Sequence, residues 1–243
     1  MSVKKTISKE ITLNAWLARA GVCSRRKAVE LIKGGHIRVN NKEVIDPALR
    51  VQEHDVVLYK NKKVLEEKPV YVLFNKPLGC ITAVSDEARG RQTVLDVLRY
   101  PGPERIFPVG RLDRASTGLL LLTNDGELAQ KLMHPKFGVL KTYRVVLGRP
   151  FIGDDMQKLR EGMRLIDGFI KPDRASYTGK KKLCITVIMH SGKKRIVRRM
   201  FKHLGYRVVK LDRVGYAMLN VKGVMRGKWR YLSDEECDKL RKV

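Results

Sequence analysis

Apolar positions recur along this chain in two rhythms, one helical and one of strands. Leu13, Trp16, Leu17 and Ala20 fall at helical spacing as far as Gly21, and Ser24 then caps a second helix whose apolar face is Ala28, Leu31 and Ile32, closed by Gly34-Gly35. Ile37-Arg-Val39 and Glu43-Val-Ile45, on either side of Asn40-Asn41, predict a hairpin, and residues 55–59 a further strand. Residues 1–60 therefore read as a small α+β module. Residues 61–68 are charged, poor in core residues and followed by Pro69, which predicts a linker, with a second domain over 69–243.

In that second domain the runs 70–74, 119–122, 140–147 and 183–189 have the length and content of strands. The first is expected to break at the turn Asn75-Lys76-Pro77. Glu127 to Met133, Asp154 to Met163 and the stretch from Arg195 to Leu204 carry helical patterns; shorter strands are expected at 207–211, 219–221 and 229–232, with a terminal helix over 234–240. No repeat of 20 to 50 residues interrupts this α+β order.

Charge changes the picture. Fifty-one Lys and Arg stand against 25 Asp and Glu, a formal charge of +26, which favours a polyanion as partner. The excess is concentrated: from His190 to Tyr231 there are thirteen Lys and Arg and one acid, Asp212. Within it Ile196, Val197, Met200, Phe201 and Leu204 make one helical face, and Arg195, Arg198, Arg199 and Lys202 the opposite one. A cationic face of this kind needs phosphates or a carboxylate beside it. Arg25, Arg26 and Lys27 occupy the first turn of the second helix, where the macrodipole disfavours cations unless an anion docks there.

Candidate chemistry centres on Gly110-Arg-Leu-Asp113-Arg-Ala-Ser116-Thr-Gly118-Leu, a loop that feeds directly into an apolar strand. Asp113 is its only acid, and Arg111 and Arg114 beside it would favour the ionised, nucleophilic form. A solvated surface loop could carry the same residues, so the spacing alone leaves both readings open. Tyr143, in a β-prone run, is by itself as well explained as core. Cys23, Cys80, Cys184 and Cys237 are too dispersed for a metal knuckle and too few for a disulfide framework, and the five histidines form no metal triad. No P-loop, dinucleotide fingerprint or Ser-His-Asp order is present, and no apolar run reaches the ~18 residues of a membrane span, which points to a soluble, cytoplasmic protein.

Ala18-Arg-Ala-Gly-Val-Cys-Ser-Arg-Arg-Lys-Ala28 with Gly35-His-Ile-Arg-Val-Asn40 resembles the RNA-binding module first described in small-subunit ribosomal protein four, with Asn41 where a glycine is usual. Behind it stand Asn75-Lys76-Pro77, the Gly-Arg-Leu-Asp113 loop, Lys141-Thr-Tyr143 and Gly192-x-x-Arg195-x-Val197-Arg198-Arg199-Met200. In that order they resemble the RsuA/RluB family of ribosomal RNA pseudouridine synthases, with Lys194 and Ile196 where that family usually has Asn and Gln. Met133-His134-Pro135 is more similar to its large-subunit members.

The resemblance implies a catalytic domain with a mixed, mainly antiparallel sheet flanked by helices, and cofactor-free, metal-free isomerisation of a flipped uridine in ribosomal RNA. By it Asp113 matches the essential aspartate, Tyr143 the base-stacking tyrosine and Arg198 the basic partner of the aspartate. Arg111 matches a residue that fills the gap left by the flipped nucleotide. Lys76, Arg195, Arg199 and Lys202, with Arg25, Arg26 and Lys27 of the module, are expected to contact RNA, either free ribosomal RNA or a pre-ribosomal particle, with the protein acting as a monomer. Two other functions fit a basic RNA-binding chain: a catalytically silent ribosome-assembly factor, and a hydrolytic RNA glycosidase that would release free uracil.

Overall fold

The computed structural model describes residues 10–86 and 89–243, and the chain divides into two compact units after Pro69. In the first, β1 (Ile11–Thr12) leads into α1 (Leu13–Arg19) and α2 (Arg25–Lys33), followed by β2 (Ile37–Val39), β3 (Lys42–Glu43), β4 (Arg50–Val51), β5 (Val57–Tyr59) and β6 (Lys62–Lys63). Leu13, Leu17, Ala28, Ile32 and Ile37, all fully buried, make its core. The Ser24 side chain accepts from the Lys27 amide, the cap expected from the sequence. Asn40 and Asn41 both take positive φ, +50° and +65°, so the β2–β3 turn is made by the non-glycine residues that best tolerate the left-handed region.

The same device corrects the expected linker. Lys60 and Asn61 also have positive φ and turn the chain into β6, which pairs with β5 in the order β3-β2-β5-β6. Lys62 and Lys63 are thus a strand of the first unit and not part of a tether. Their exposed, charged side chains suit a sheet edge and hide the strand from a search for apolar alternation.

The second unit is built on one sheet. In chain order its elements are β7 (Tyr71–Lys76), α3 (Val94–Leu98), β8 (Phe107–Pro108), β9 (Thr117–Thr123), α4 (Gly126–Met133), β10 (Lys141–Leu147), α5 (Gly153–Glu161), β11 (Met163–Leu165), β12 (Gly168–Ile170), β13 (Arg174–Tyr177), β14 (Cys184–Met189), α6 (Ile196–His203), β15 (Val208–Tyr216), β16 (Leu219–Asn220), β17 (Trp229–Tyr231) and α7 (Asp234–Arg241). The strand order is β13-β14-β10-β15-β9-β7-β17, with β16 on β15 and β8 on β9. Among the named strands of the described residues the β15–β9 pairing alone is parallel, through Asp212↔Thr117 and Arg213↔Gly118. The sheet is therefore mixed and mainly antiparallel.

Leu119 to Leu122 are all fully buried, because β9 is covered on both faces. Leu119 and Leu121 join one core with Leu73 and Leu132, while Leu120 and Leu122 join another with Val72 and Phe74. A third core, around Val145, Val187, Met200 and Phe201, holds α5 and α6 against the other half of the sheet. Each fully buried leucine contributes about 1.5–3 kcal/mol of apolar transfer, which fixes the strand that carries the candidate loop.

The elements of this unit depart from the expected ones in three places. β7 does not break at Asn75 but continues through Lys76. β15 runs nine residues to Tyr216, well past the end that the apolar pattern of 207–211 predicts. Arg195 is not part of α6; it precedes the helix with φ +51°.

Candidate active site

The loop between β8 and β9 is held by its backbone. The Lys76 Nζ lies 3.0 Å from the Ser116 carbonyl, 3.0 Å from that of Pro77 and 3.3 Å from that of Asp113, and donates to all three. On the other side, the Thr82 hydroxyl donates to the Leu112 carbonyl at 2.7 Å and accepts from its amide at 3.1 Å. Arg114 Nε donates to the Gly79 carbonyl at 2.9 Å, and the Gly79 amide to the Arg114 carbonyl at 3.1 Å. Every residue flanking Asp113 is thus tied down while its carboxylate remains about a third exposed.

Lys76 is fully buried, so it is not the RNA-facing cation expected from the sequence. Burial holds its pKa below the ordinary lysine range, and the nearby Asp113 opposes that shift. Three carbonyl oxygens satisfy its three donor positions. The residue fastens the loop and does not present a charge outward.

The cation beside the Asp113 carboxylate is Arg195, whose Nη1 lies 3.6 Å from Oδ2. The sequence neighbours expected there do not pair with it among the described residues: Arg114 is engaged with Gly79, and Arg111 is exposed without an ion pair to Asp113. Arg195 holds left-handed backbone immediately before α6, a conformation that costs a non-glycine residue of order 1 kcal/mol.

Arg198 is fixed by carbonyls. Its Nη2 donates to Ala115 at 2.7 Å and its Nη1 to Val208 at 3.1 Å. Burial and the charge of Arg195 push its pKa down while the field of Asp113 pushes it up, so it sits within electrostatic reach of the carboxylate without a direct ion pair. Its Nε is buried with no hydrogen-bond partner, as are the Ser116 hydroxyl and Arg213 Nη2. Two arginines face one carboxylate, which leaves a net positive site.

Tyr143 is partly buried against the core of α5 and α6 and sits at an irregularity of the β10–β15 ladder, opposite Arg213 on β15 and Val187 on β14. Arg213 in turn is opposite Gly118 on β9. Tyr143, Arg213 and Gly118 therefore form a row across three strands that ends at the loop carrying Asp113. Among the described residues no hydrogen bond or ion pair joins Tyr143 to Asp113 directly.

Sequence reasoning missed two groups. Arg213, 2 % exposed, donates its Nε to the Leu119 carbonyl at 2.9 Å and stacks over the Tyr216 ring at 4.8 Å. Asp212 accepts from Thr117 at 2.8 Å and from Arg226 at 3.0 Å, and Arg226 also donates to the Asn75 side chain and the Lys76 carbonyl. The available signal was that Asp212 is the single acid in the most basic stretch, where an acid must be paired.

Of the other cations expected to meet RNA, Lys202 is exposed. Arg199 is held by Asp167, so it is not a free phosphate contact. In the first unit Arg25 and Arg26 are exposed at the start of α2, while Lys27 pairs with Glu30 at 2.7 Å. A cleft of about 610 Å³ opens along β13 and β14, lined by Arg160, Lys171 and Arg174 among others, and includes none of the residues around Asp113. Among the described residues no cluster of His, Cys, Asp and Glu is placed to hold a metal ion, and no helix is long and apolar enough to cross a membrane.

The arrangement matches known proteins over nearly its full length. Residues 70–203 match the family model for RNA pseudouridylate synthase, and residues 11–57 that for the S4 domain. Ribosomal large subunit pseudouridine synthase B of Bacillus subtilis is 44% identical over 230 residues, covering 93% of each chain. An uncharacterized RNA pseudouridine synthase of Aquifex aeolicus is 36% identical, covering 96% of this chain and 95% of its own. A crystal structure of a pseudouridylate synthase superimposes with a TM-score of 0.67 at 26% identity, covering 95% of this chain and 99% of that one. A domain built around the Asp113 loop, behind an S4 domain, thus makes this chain a member of the RNA pseudouridylate synthase family and an RNA-modifying isomerase.

Proposed function

We propose that the protein converts a specific uridine of large-subunit ribosomal RNA to pseudouridine, acting as a cytoplasmic monomer on the RNA or on a pre-ribosomal particle. The choice of the large subunit rests on the 44% identity to the B. subtilis enzyme. The observation that carries the chemistry is a partly exposed Asp113 carboxylate on a loop whose backbone is fastened at Leu112, Asp113, Arg114 and Ser116, with Arg195 at 3.6 Å.

The reaction breaks the bond between uracil N1 and the anomeric carbon, turns the base, and joins C5 to the same carbon. The C5 proton is lost and N1 gains one, so atoms balance with neither water nor oxidant. Asp113 serves as the group that acts on the sugar, by attack at the anomeric carbon or by assisting loss of the base as a glycal. Arg198, fixed by two carbonyls, supplies positive potential to that carboxylate without competing for its lone pairs, and Arg195 adds a second charge that an incoming phosphate can share.

Tyr143 would stack on the uracil face, with its hydroxyl near the C5 proton. The target must leave its helix, at a cost of a few kcal/mol, and the cations around the site and on α2 offset that cost through phosphate contacts, with Arg111 filling the gap left by the base. The experiment that tests this reading is a map of carbodiimide-blocked reverse-transcription stops in ribosomal RNA from cells with and without the protein. One large-subunit stop is expected to vanish with the gene and return with it; unchanged maps would count against the substrate.

A further inference from the structure

The hairpin of β11 and β12 breaks the inside-out order of the fold. Met163 and Ile170 pair across it and are buried against the core, so the opposite face, with Arg164 paired to Phe169, points to solvent. Phe169 is 61 % exposed on that outward face and Ile166 at the tip is fully exposed, where alternation calls for polar side chains. The Phe169 ring is not loose. It lies over Gly162, where a Cβ would come 2.5 Å from the ring edge, and Gly162 itself has φ +95°. The Cζ edge of the ring therefore rests against backbone.

The surroundings are cationic. Arg164 is the cross-strand partner of Phe169, Lys193 Nζ donates to the Asp167 carbonyl at 2.7 Å, and Lys171 follows β12 directly. The one acid of the hairpin tip, Asp167, is neutralised by Arg199, which also holds its pKa at about 2. This contact joins the hairpin to α6, and thereby to Arg195, four residues before Arg199, which lies beside Asp113.

We propose that the outward face of this hairpin is a stacking platform for an unpaired nucleobase of the RNA substrate, with Phe169 as the ring and Arg164 as the flanking cation. This rests on the RNA-modifying function above. A seated aromatic ring among cations suits a nucleobase attached to a phosphate chain, whereas a protein partner would need apolar area beyond Ile166 and Phe169. Because the platform is clamped to α6, a base stacked on it would fix the strand relative to the candidate site.

The test uses the full chain with Phe169→Leu, which keeps an apolar side chain over Gly162 but removes the aromatic face, and Phe169→Trp, which keeps it. Binding is measured with a fluorescein-labelled ten-nucleotide oligouridylate and with a blunt RNA duplex. Phe169→Leu is expected to weaken oligouridylate binding about tenfold and duplex binding far less. Phe169→Trp is expected to retain the affinity, and its added indole emission, relative to wild type, to be quenched at saturation. Equal affinity of Phe169→Leu and wild type, or an added indole emission that stays unquenched, would overturn the proposal and leave the hairpin to a protein partner. Pseudouridine formation by the wild-type preparation is followed in parallel: its absence would count against the enzymatic reading, independently of the stacking result.

Discussion

Lys76 has a structural role that its charge conceals. It is fully buried and its ammonium holds three carbonyls of the loop around Asp113 together. Lys76→Met is expected to leave those carbonyls short of donors and to cost about 2–4 kcal/mol in denaturant unfolding, with a larger fractional loss of turnover than of RNA affinity. A variant as stable and active as wild type would contradict this role. Residue identity at this site was legible where the motif is contiguous, as in Gly110 to Gly118. It was not legible where partners come from distant strands: Arg111 and Arg114 adjoin Asp113 by connectivity, yet Arg195 reaches its carboxylate because the chain turns left-handed before α6.

At the scale of elements, β9 and β15 meet in parallel with unusual closeness. A Cβ at Gly118 would stand 2.2 Å from the Arg213 carbonyl and 2.6 Å from an Asp212 oxygen, and φ there is +110°. Gly118→Ala is expected to lower stability by at least about 3 kcal/mol, read from urea midpoints, since neither backbone can yield without disturbing the loop before it. The hairpin clamp gives a pH signature. Asp167 is held at about 2 by Arg199, below the ordinary 3.8, so it adds stability above pH ~4 that is lost as pH falls toward 2.

The gap in urea midpoint between wild type and Asp167→Asn should therefore be full at pH 7 and shrink between pH ~4 and ~2. A gap independent of pH would assign the effect to packing. Strands with apolar content, such as β9 and β14, were legible in the sequence. β6 and the second half of β15 were not, because Lys62–Lys63 lies at an edge and Asp212 and Arg213 are charged residues whose partners lie outside their own strand.

Across the whole molecule, the formal charge of +26 divides between two units that fold around separate cores. RNA affinity should fall steeply with salt, since each phosphate contact contributes a slope of roughly 0.7 to 0.9 in log K against log salt. Arg25 and Arg26 are exposed at the start of α2 with no acid in that first turn. Replacing both with Ala should lower the slope by about 1.4 to 1.8 and weaken all RNAs alike, as phosphate contacts do. An unchanged slope would remove α2 from the RNA surface.

Net charge and the S4-like pattern made a nucleic-acid partner legible in the sequence. Asp113, Tyr143 and Arg198 were legible as candidates through the family resemblance, whereas the row of Tyr143, Arg213 and Gly118 and the approach of Arg195 to the loop became visible only in the folded sheet. The most direct measurement is single-turnover pseudouridine formation by Asp113→Asn on a ribosomal RNA transcript that wild type modifies, with affinity measured on the same RNA. Binding close to wild type with no detectable product is expected; product formed at a rate near that of wild type would contradict the assignment of Asp113 as the reacting group.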